Sequence, residues 1–178
     1  NRSTFQGALR KWAPINKGGG FRRWFGNDLD VVNWLDDGSE IRSFGAENGE
    51  KPKSRAQNMD FYFRPGVTWG KITSGSFSAR QTGSGFLFSD AGMKAFAKTD
   101  VQLSVLTGLL NSVVATLALS SLTETLNFEQ GQIAKLPVNL EVECLVDKLV
   151  NLSKTDWNCQ ETSWDYSRPS ILAFINSY

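Results

Sequence analysis

Apolar positions recur most regularly between residues 99 and 122, where Leu103, Leu106, Leu110, Val113 and Leu117 follow one another at spacings of three and four. That rhythm places them on one helical face. Leu109, Val114, Ala118 and Leu119 widen the stripe, so the pattern predicts one long, largely buried helix with Thr99 or Asp100 as its N-cap. Gln102, Ser104, Thr107, Asn111, Ser112 and Thr116 interrupt the ~18-residue apolar run that a membrane span needs, and no membrane partner is expected. Beyond the Leu136-Pro137 break, Val142, Leu145, Val146, Leu149 and Leu152 keep helical spacing, with Glu141 and Glu143 at the end where the helix dipole favours them. A third helix is predicted from Pro169 through Ile171, Leu172 and Ile175.

Residues 58–89 follow a different pattern. Stretches 61–63, 67–73, 77–80 and 86–89 read as strands, separated by Pro65-Gly66, Ser74-Gly75 and Gly83-Ser84-Gly85, and together they predict a small antiparallel meander. Residues 1–57 read as irregular. Val31-Val32-Asn33-Trp34-Leu35 fits either a short strand or one helical turn, and residues 36–57 read as a long surface loop with a hairpin at Asn48-Gly49. The expected class is α+β: a small antiparallel β-rich domain over 1–137 with a long buried helix, and further C-terminal helices over 138–178 as an appendage packing on it.

Composition then narrows the function. The 178 residues contain no His and two Cys, which excludes Ser-His and Cys-His nucleophile pairs and imidazole metal ligands. Cys144 and Cys159 match neither a four-thiolate zinc site nor a redox motif, and read as two free, buried thiols of a cytoplasmic protein. The chain opens on Asn1 without a signal-like segment and is expected to be a piece of something longer. A formal net charge of +1 hides an asymmetry: residues 1–80 carry thirteen Lys or Arg against eight Asp or Glu, and residues 81–178 carry six against ten. The basic half is also the one richest in aromatics and glycine, a composition suited to a polyanion.

Several motifs fail on spacing. Gly66 to Lys71 is one residue short of a phosphate-cradling loop, and no Ser or Thr follows the Lys. Gly83-Ser84-Gly85-Phe86 lacks a third glycine and a following helix, and reads as a turn. All five prolines are isolated, which removes the Pro-Pro catalytic loop of amino-methyltransferases. Asp28 with Asp30, or Asp36 with Asp37, read as turn residues before metal ligands, and no metal is expected. What remains is a binding signal. Arg22, Arg23, Arg55, Arg64, Lys71 and Arg80 are interleaved with Trp24, Phe25, Tyr62, Trp69 and Phe77. Arg forks onto guanine edges or phosphates, and the amides Asn27, Gln57 and Asn58 have the geometry to fork onto adenine.

The strings Gly18-Gly19-Gly20-Phe21-Arg22-Arg23-Trp24-Phe25-Gly26-Asn27, Val31-Val32-Asn33-Trp34, Gly66-Val67-Thr68-Trp69-Gly70-Lys71-Ile72 and Phe77-Ser78-Ala79-Arg80 resemble the C-terminal half of the adenine-specific DNA methyltransferases of bacterial BREX phage-defence systems (PglX-like) and of related type II restriction-modification enzymes. Leu109-Leu110-Asn111-Ser112-Val113-Val114, residues 127–137, Asp156-Trp157 and Glu161-Thr162-Ser163-Trp164-Asp165 extend the resemblance over nearly the whole chain. Residues 127–137 are also similar to the end of a target-recognition domain in type I specificity subunits, with Gln132 where Asp is usual. The resemblance implies a β-rich domain that reads double-stranded DNA in the major groove. It further implies a separate upstream domain that binds S-adenosylmethionine and methylates a flipped-out adenine. On that reading this chain recognises DNA and holds no cofactor or catalytic residue itself. Its partners are DNA, the methyltransferase domain of the same chain and other phage-defence components. The DNA-contacting residues chosen by chemistry and loop position are Arg22, Arg23, Asn27, Arg55, Asn58, Lys71, Ser78 and Arg80. The alternative is a protein-interaction module in which residues 101–119 dock onto the methyltransferase core or another defence component. An independent enzyme is disfavoured by the missing motifs, and a carbohydrate-binding sandwich by the Leu-rich helix.

Overall fold

Two three-stranded sheets carry the α+β fold in the computed structural model, which describes residues 11–46, 49–73, 75–122, 127–138, 145–166 and 168–169. In the first sheet β1 (Trp12–Asn16) lies between β2 (Asp30–Asn33) and β5 (Leu87–Phe88). It pairs antiparallel with β2, Ile15 opposite Asp30, and parallel with β5, Ile15 opposite Leu87. In the second sheet β3 (Gly66–Gly70) is central, flanked antiparallel by β4 (Ala79–Thr82) and β6 (Gly92–Ala95). The chain therefore leaves the second sheet after β4, adds β5 to the first, and returns as β6. This corrects the expected meander, because β5 pairs with β1 and not with β4, and β6 takes the other edge of β3.

Three other expectations change. Residues 61–63 are not a strand: Met59–Phe61 forms a 3-10 turn, and Asn58 and Phe63 take left-handed φ values of 55° and 64°. Tyr62 and Phe63 are buried side by side in the core under the first sheet with Ala13, Trp34 and Leu87, so their apolar character serves packing and not alternation. The region 31–35 holds both alternatives in succession, β2 ending at Asn33 and helix α1 (Leu35–Ser43) starting two residues later, where a loop was expected. The chain enters α1 through left-handed Asp36, Asp37 and Gly38. A Cβ on Gly38 would lie 2.7 Å from the Trp34 ring, so glycine lets the turn close over that indole.

The long helix is also divided. Its two halves, α2 (Asp100–Leu110) and α3 (Val113–Leu122), are bent 63° at Asn111-Ser112. Thr99 caps α2 by accepting from the Gln102 amide at 3.2 Å. Asn111 ends it: its Nδ2 donates to the carbonyls of Thr107 and Ala79 while its Oδ1 accepts from the Ala79 amide, tying the helix end to β4. The Ser112 hydroxyl then accepts from the Ala115 amide and starts α3. The bend redistributes the predicted stripe. Leu103, Leu110, Ala115 and Leu119 are buried on the second sheet with Val67, Trp69, Phe77 and Met93, whereas Val113 and Leu117 are 74% and 63% exposed. Among the described residues no single helix is long and apolar enough to cross a membrane.

A short helix α4 (Gln130–Ile133) closes this core through Ile133 and Leu136. Helix α5 (Val146–Trp157) packs on α2, where Gly108 admits it so closely that a Cβ would meet Val146 at 2.7 Å. The predicted start of that helix at Glu141 to Cys144, the hairpin residue Asn48 and the helix after Pro169 lie outside the described residues. Cys159 is free and half-buried.

Between the sheets, Gly92 of β6 sits directly against the end of β1. A Cβ there would stand 2.4 Å from the Asn16 carbonyl oxygen and 2.6 Å from the Lys17 nitrogen, both backbone atoms that cannot swing aside. Gly92→Ala should therefore lower unfolding free energy by about 2–3 kcal/mol, read as a shift in urea midpoint. Gly83→Ala, in open space, should change it little.

Candidate nucleic-acid interface

Two of the eight expected DNA-contacting residues, Arg55 and Asn58, meet in a cleft where the 3-10 turn, the β5–β6 turn and α4 come together. Arg55, Gln57, Asn58, Tyr62, Phe88, Ser89, Asp90 and Gln130 line a cleft of about 180 Å³. Arg55, Gln57 and Asn58 are exposed, while Tyr62 forms the apolar floor, edge-on to both Trp34 and Phe88 at 5.3 and 5.2 Å. The far wall is fixed from behind, since the Ser89 amide and hydroxyl both donate to the Asn16 carbonyl. Lys71 stands beside it, its Nζ 3.0 Å from Asp90 and 3.3 Å from Glu129. Hydrogen bonds donated by its ammonium to those two carboxylates raise the Lys71 pKa, Asp90 contributing most, against a smaller opposing effect of burial. The structure thus brings together Arg55 and Asn58, with Lys71 joined to them through Asp90. Gln130, Ser89 and Asp90 escaped the sequence reading; the turn string Ser89-Asp90-Ala91-Gly92 was the available signal.

The other expected residues form a separate group around Gly18-Gly19-Gly20. Arg80 is buried, with its guanidinium donating to the carbonyls of Gly18 at 2.7 Å and Gly20 at 3.4 Å. Asn27 donates to the same Gly20 carbonyl at 2.8 Å, and buried Ser78 accepts from the Arg22 amide. The Arg22 side chain turns towards α5, donating to Phe25 and Ser153 carbonyls and to Asp156 at 2.7 Å, with its guanidinium 4.9 Å from the Trp157 ring centroid. Arg23 stacks on the exposed Phe21 ring at 5.4 Å. Asn27 and Arg80 therefore hold the glycine loop, Ser78 holds the Arg22 backbone that follows it, and the Arg22 side chain ties the Phe25 carbonyl to α5. Gly83 and Gly85 connect β4 to β5, so the glycine turn is followed by a strand.

Beneath both groups lies a buried polar network. Asn16 on β1 donates to Asp28 at 3.1 Å and accepts from Lys94 Nζ on β6 at 3.2 Å; all three are buried, as is Arg80. Burial pushes the Asp28 carboxyl up to about 6, against the opposing pull of Arg80 and Lys94. Burial likewise brings the Lys94 ammonium down to about 7, against the pull of Asp28, and lowers Arg80. The attraction of Asp28 for both cations offsets only part of their desolvation.

No family model matches the chain. Two curated relatives do. It is 37% identical over 166 residues to the adenine-specific methyltransferase BrxX of Escherichia coli O9:H4 (strain HS), which covers 91% of this chain and 13% of the relative. It is 36% identical over 170 residues to the adenine-specific methyltransferase PglX of Lacticaseibacillus casei (strain Zhang), covering 93% of this chain and 14% of the relative. The chain is thus similar to a segment of each of two proteins named as adenine-specific methyltransferases. The chain spans about one-seventh of the length of these relatives, matching a segment of each.

The two buried ionisations make opposite contributions to stability. The folded-state pKa of Lys94 lies below its unfolded value of about 10.5, so its cost is fully present below about 7 and is relieved as pH rises above it. Asp28, raised from 3.8 to about 6, favours the fold most at low pH and loses that advantage as pH rises to about 6. Raising the pH from 7 to 9 should therefore add on the order of 1–2 kcal/mol, and Lys94→Met should abolish that rise. Urea midpoints of both proteins at the two pH values check this; an equal rise in the variant would place its origin elsewhere.

Proposed function

We propose that this chain recognises DNA as the target-recognition part of an S-adenosylmethionine-dependent, adenine-specific DNA methyltransferase of a cytoplasmic restriction-modification or BREX-type defence system. The observation that carries the reading is the convergence of the exposed Arg55, Gln57 and Asn58 on one preformed cleft with Gln130. Guanidinium and amide groups on short, fixed turns suit the donor and acceptor pattern of base edges. Lys71 beside the cleft is engaged by Asp90 and Glu129, both more exposed than the lysine itself, so in this reading it reaches a phosphate only by exchanging those carboxylates. In this reading Asn27 and Arg80 act by holding the glycine loop, and Arg22 and Ser78 by fixing the segment that follows it. Methyl transfer belongs to a cofactor-binding domain elsewhere in the parent.

A second reading, compatible with the first, rests on α3. Val113, Val114 and Leu117 lie exposed on a helix with no charged residue, and such a face suits a partner surface. The occupant we propose is the remaining polypeptide of the methyltransferase, because the matched relatives are about seven times longer than this segment. Val113→Lys with Leu117→Lys should leave the chain folded and weaken its binding to a core expressed without it by at least tenfold. Unchanged binding in a pull-down titration would reject this surface.

Fluorescence anisotropy of a labelled random duplex tests DNA recognition. Affinity should fall by orders of magnitude when salt rises fourfold. Arg55→Ala with Asn58→Ala should weaken binding about tenfold or more, whereas Arg64→Ala, outside the cleft, should not. Absence of binding at low salt both in this chain and in the intact parent would overturn the reading.

A further inference from the structure

A second cleft, on the α5 side of the molecule, is built differently from the first. Phe25, Phe86, Trp157 and Trp164 wall a cavity of about 190 Å³, with Lys154 and Asp165 also lining it. Trp157 is buried and fixed between the Arg22 guanidinium and Gly26, where only a glycine lets the indole approach. Trp164 is 59% exposed, yet it is held in place: its indole N–H donates to the Asp28 carbonyl. The loop that carries it is pinned by buried Ser163, which donates to Asn158 at 2.8 Å and accepts from the Asp165 amide. A large ring kept half in water on an immobilised loop is a platform awaiting an apolar or planar partner.

We infer that this cleft receives a single unstacked nucleotide of a DNA strand, its base against the exposed Trp164 ring and its phosphate near Lys154. The cavity is smaller than the pockets that hold drug-sized molecules and fits one planar ring system. Aromatic walls accept any base face. A cationic ligand, the other common occupant of an aromatic cage, is disfavoured, because the Lys154 ammonium already sits 5.5 Å from the Phe25 centroid. Lys154 makes only a 3.8 Å contact with exposed Asp165 and remains about half exposed, so a phosphate can recruit it. A base stacked in an intact duplex cannot enter such a cavity, so the ligand is a nucleotide already out of the stack. The inference takes its ligand class from the DNA reading above, but the cleft shares no residue with the Arg55 cleft.

The test uses two probes, a labelled single strand of about eight nucleotides and a fully paired duplex. The single strand should bind this chain, Trp164→Ala should weaken that binding about tenfold, and Trp164→Phe should largely restore it, with duplex binding unchanged in both variants. Should Trp164→Ala lower the unfolding midpoint, Lys154→Gln provides the same comparison and should weaken single-strand binding about threefold. No single-strand binding, or binding indifferent to Trp164 and Lys154, overturns the inference. Trp164-dependent single-strand binding without duplex binding would sustain this cleft while removing the duplex-reading role of the first.

Discussion

The joint between the two sheets is the constraint on which the rest of the structure depends. Gly92 lets β6 lie against the end of β1, and at that crossing Asn16 links Asp28 to Lys94. A buried network with two cations and one carboxylate is a poor source of stability, because desolvation offsets most of the Coulomb attraction. Its effect is directional: it fixes which residue of β1 meets which residue of β6, as the paired hydrogen bonds leave few alternative registers. The apolar cores on either side do not supply that registration, since burial energy is nondirectional.

Both clefts inherit their geometry from this joint. Ser89, bound to the Asn16 carbonyl, fixes the turn that presents Asp90 to Lys71 and forms one wall of the Arg55 cleft. Asp28, bound to the Asn16 side chain, offers its carbonyl to Trp164 at the second cleft. Arg80 reaches from β4 to the Gly18 and Gly20 carbonyls. Ser89 and Trp164 thus stand on loops, each tied by a hydrogen bond to Asn16 or Asp28, which limits the ordering cost of any binding there.

The sequence disclosed what depends on local periodicity. Leu103 and Leu110 declared a helix, Val67 and Trp69 a strand, and Thr99 a cap. The Asn111-Ser112 bend was legible in principle, because two side chains that compete for backbone hydrogen bonds stood together in the stripe. What remained hidden was long-range. Two-residue β5 gains its identity by pairing with β1, some seventy residues earlier, and no window of sequence contains that fact. Residues 61–63 read as a strand because aromatics favour both strands and cores. At the candidate interface, residue type singled out Arg55, Asn58, Arg22 and Arg80 alike, and only the fold shows that Arg22 and Arg80 are turned inward onto backbone carbonyls. Gln130 joins the cleft from α4, a distance in sequence that composition cannot bridge.

The most direct test of the central claim, that the Arg55 cleft is a DNA-reading surface, is backbone amide chemical-shift mapping of this chain titrated with duplex DNA at low salt. The account predicts the largest shifts at Arg55, Gln57, Asn58, Ser89, Asp90 and Gln130. Shifts that leave those residues unmoved while the duplex binds, and that cluster instead on the exposed face of α3, would contradict it.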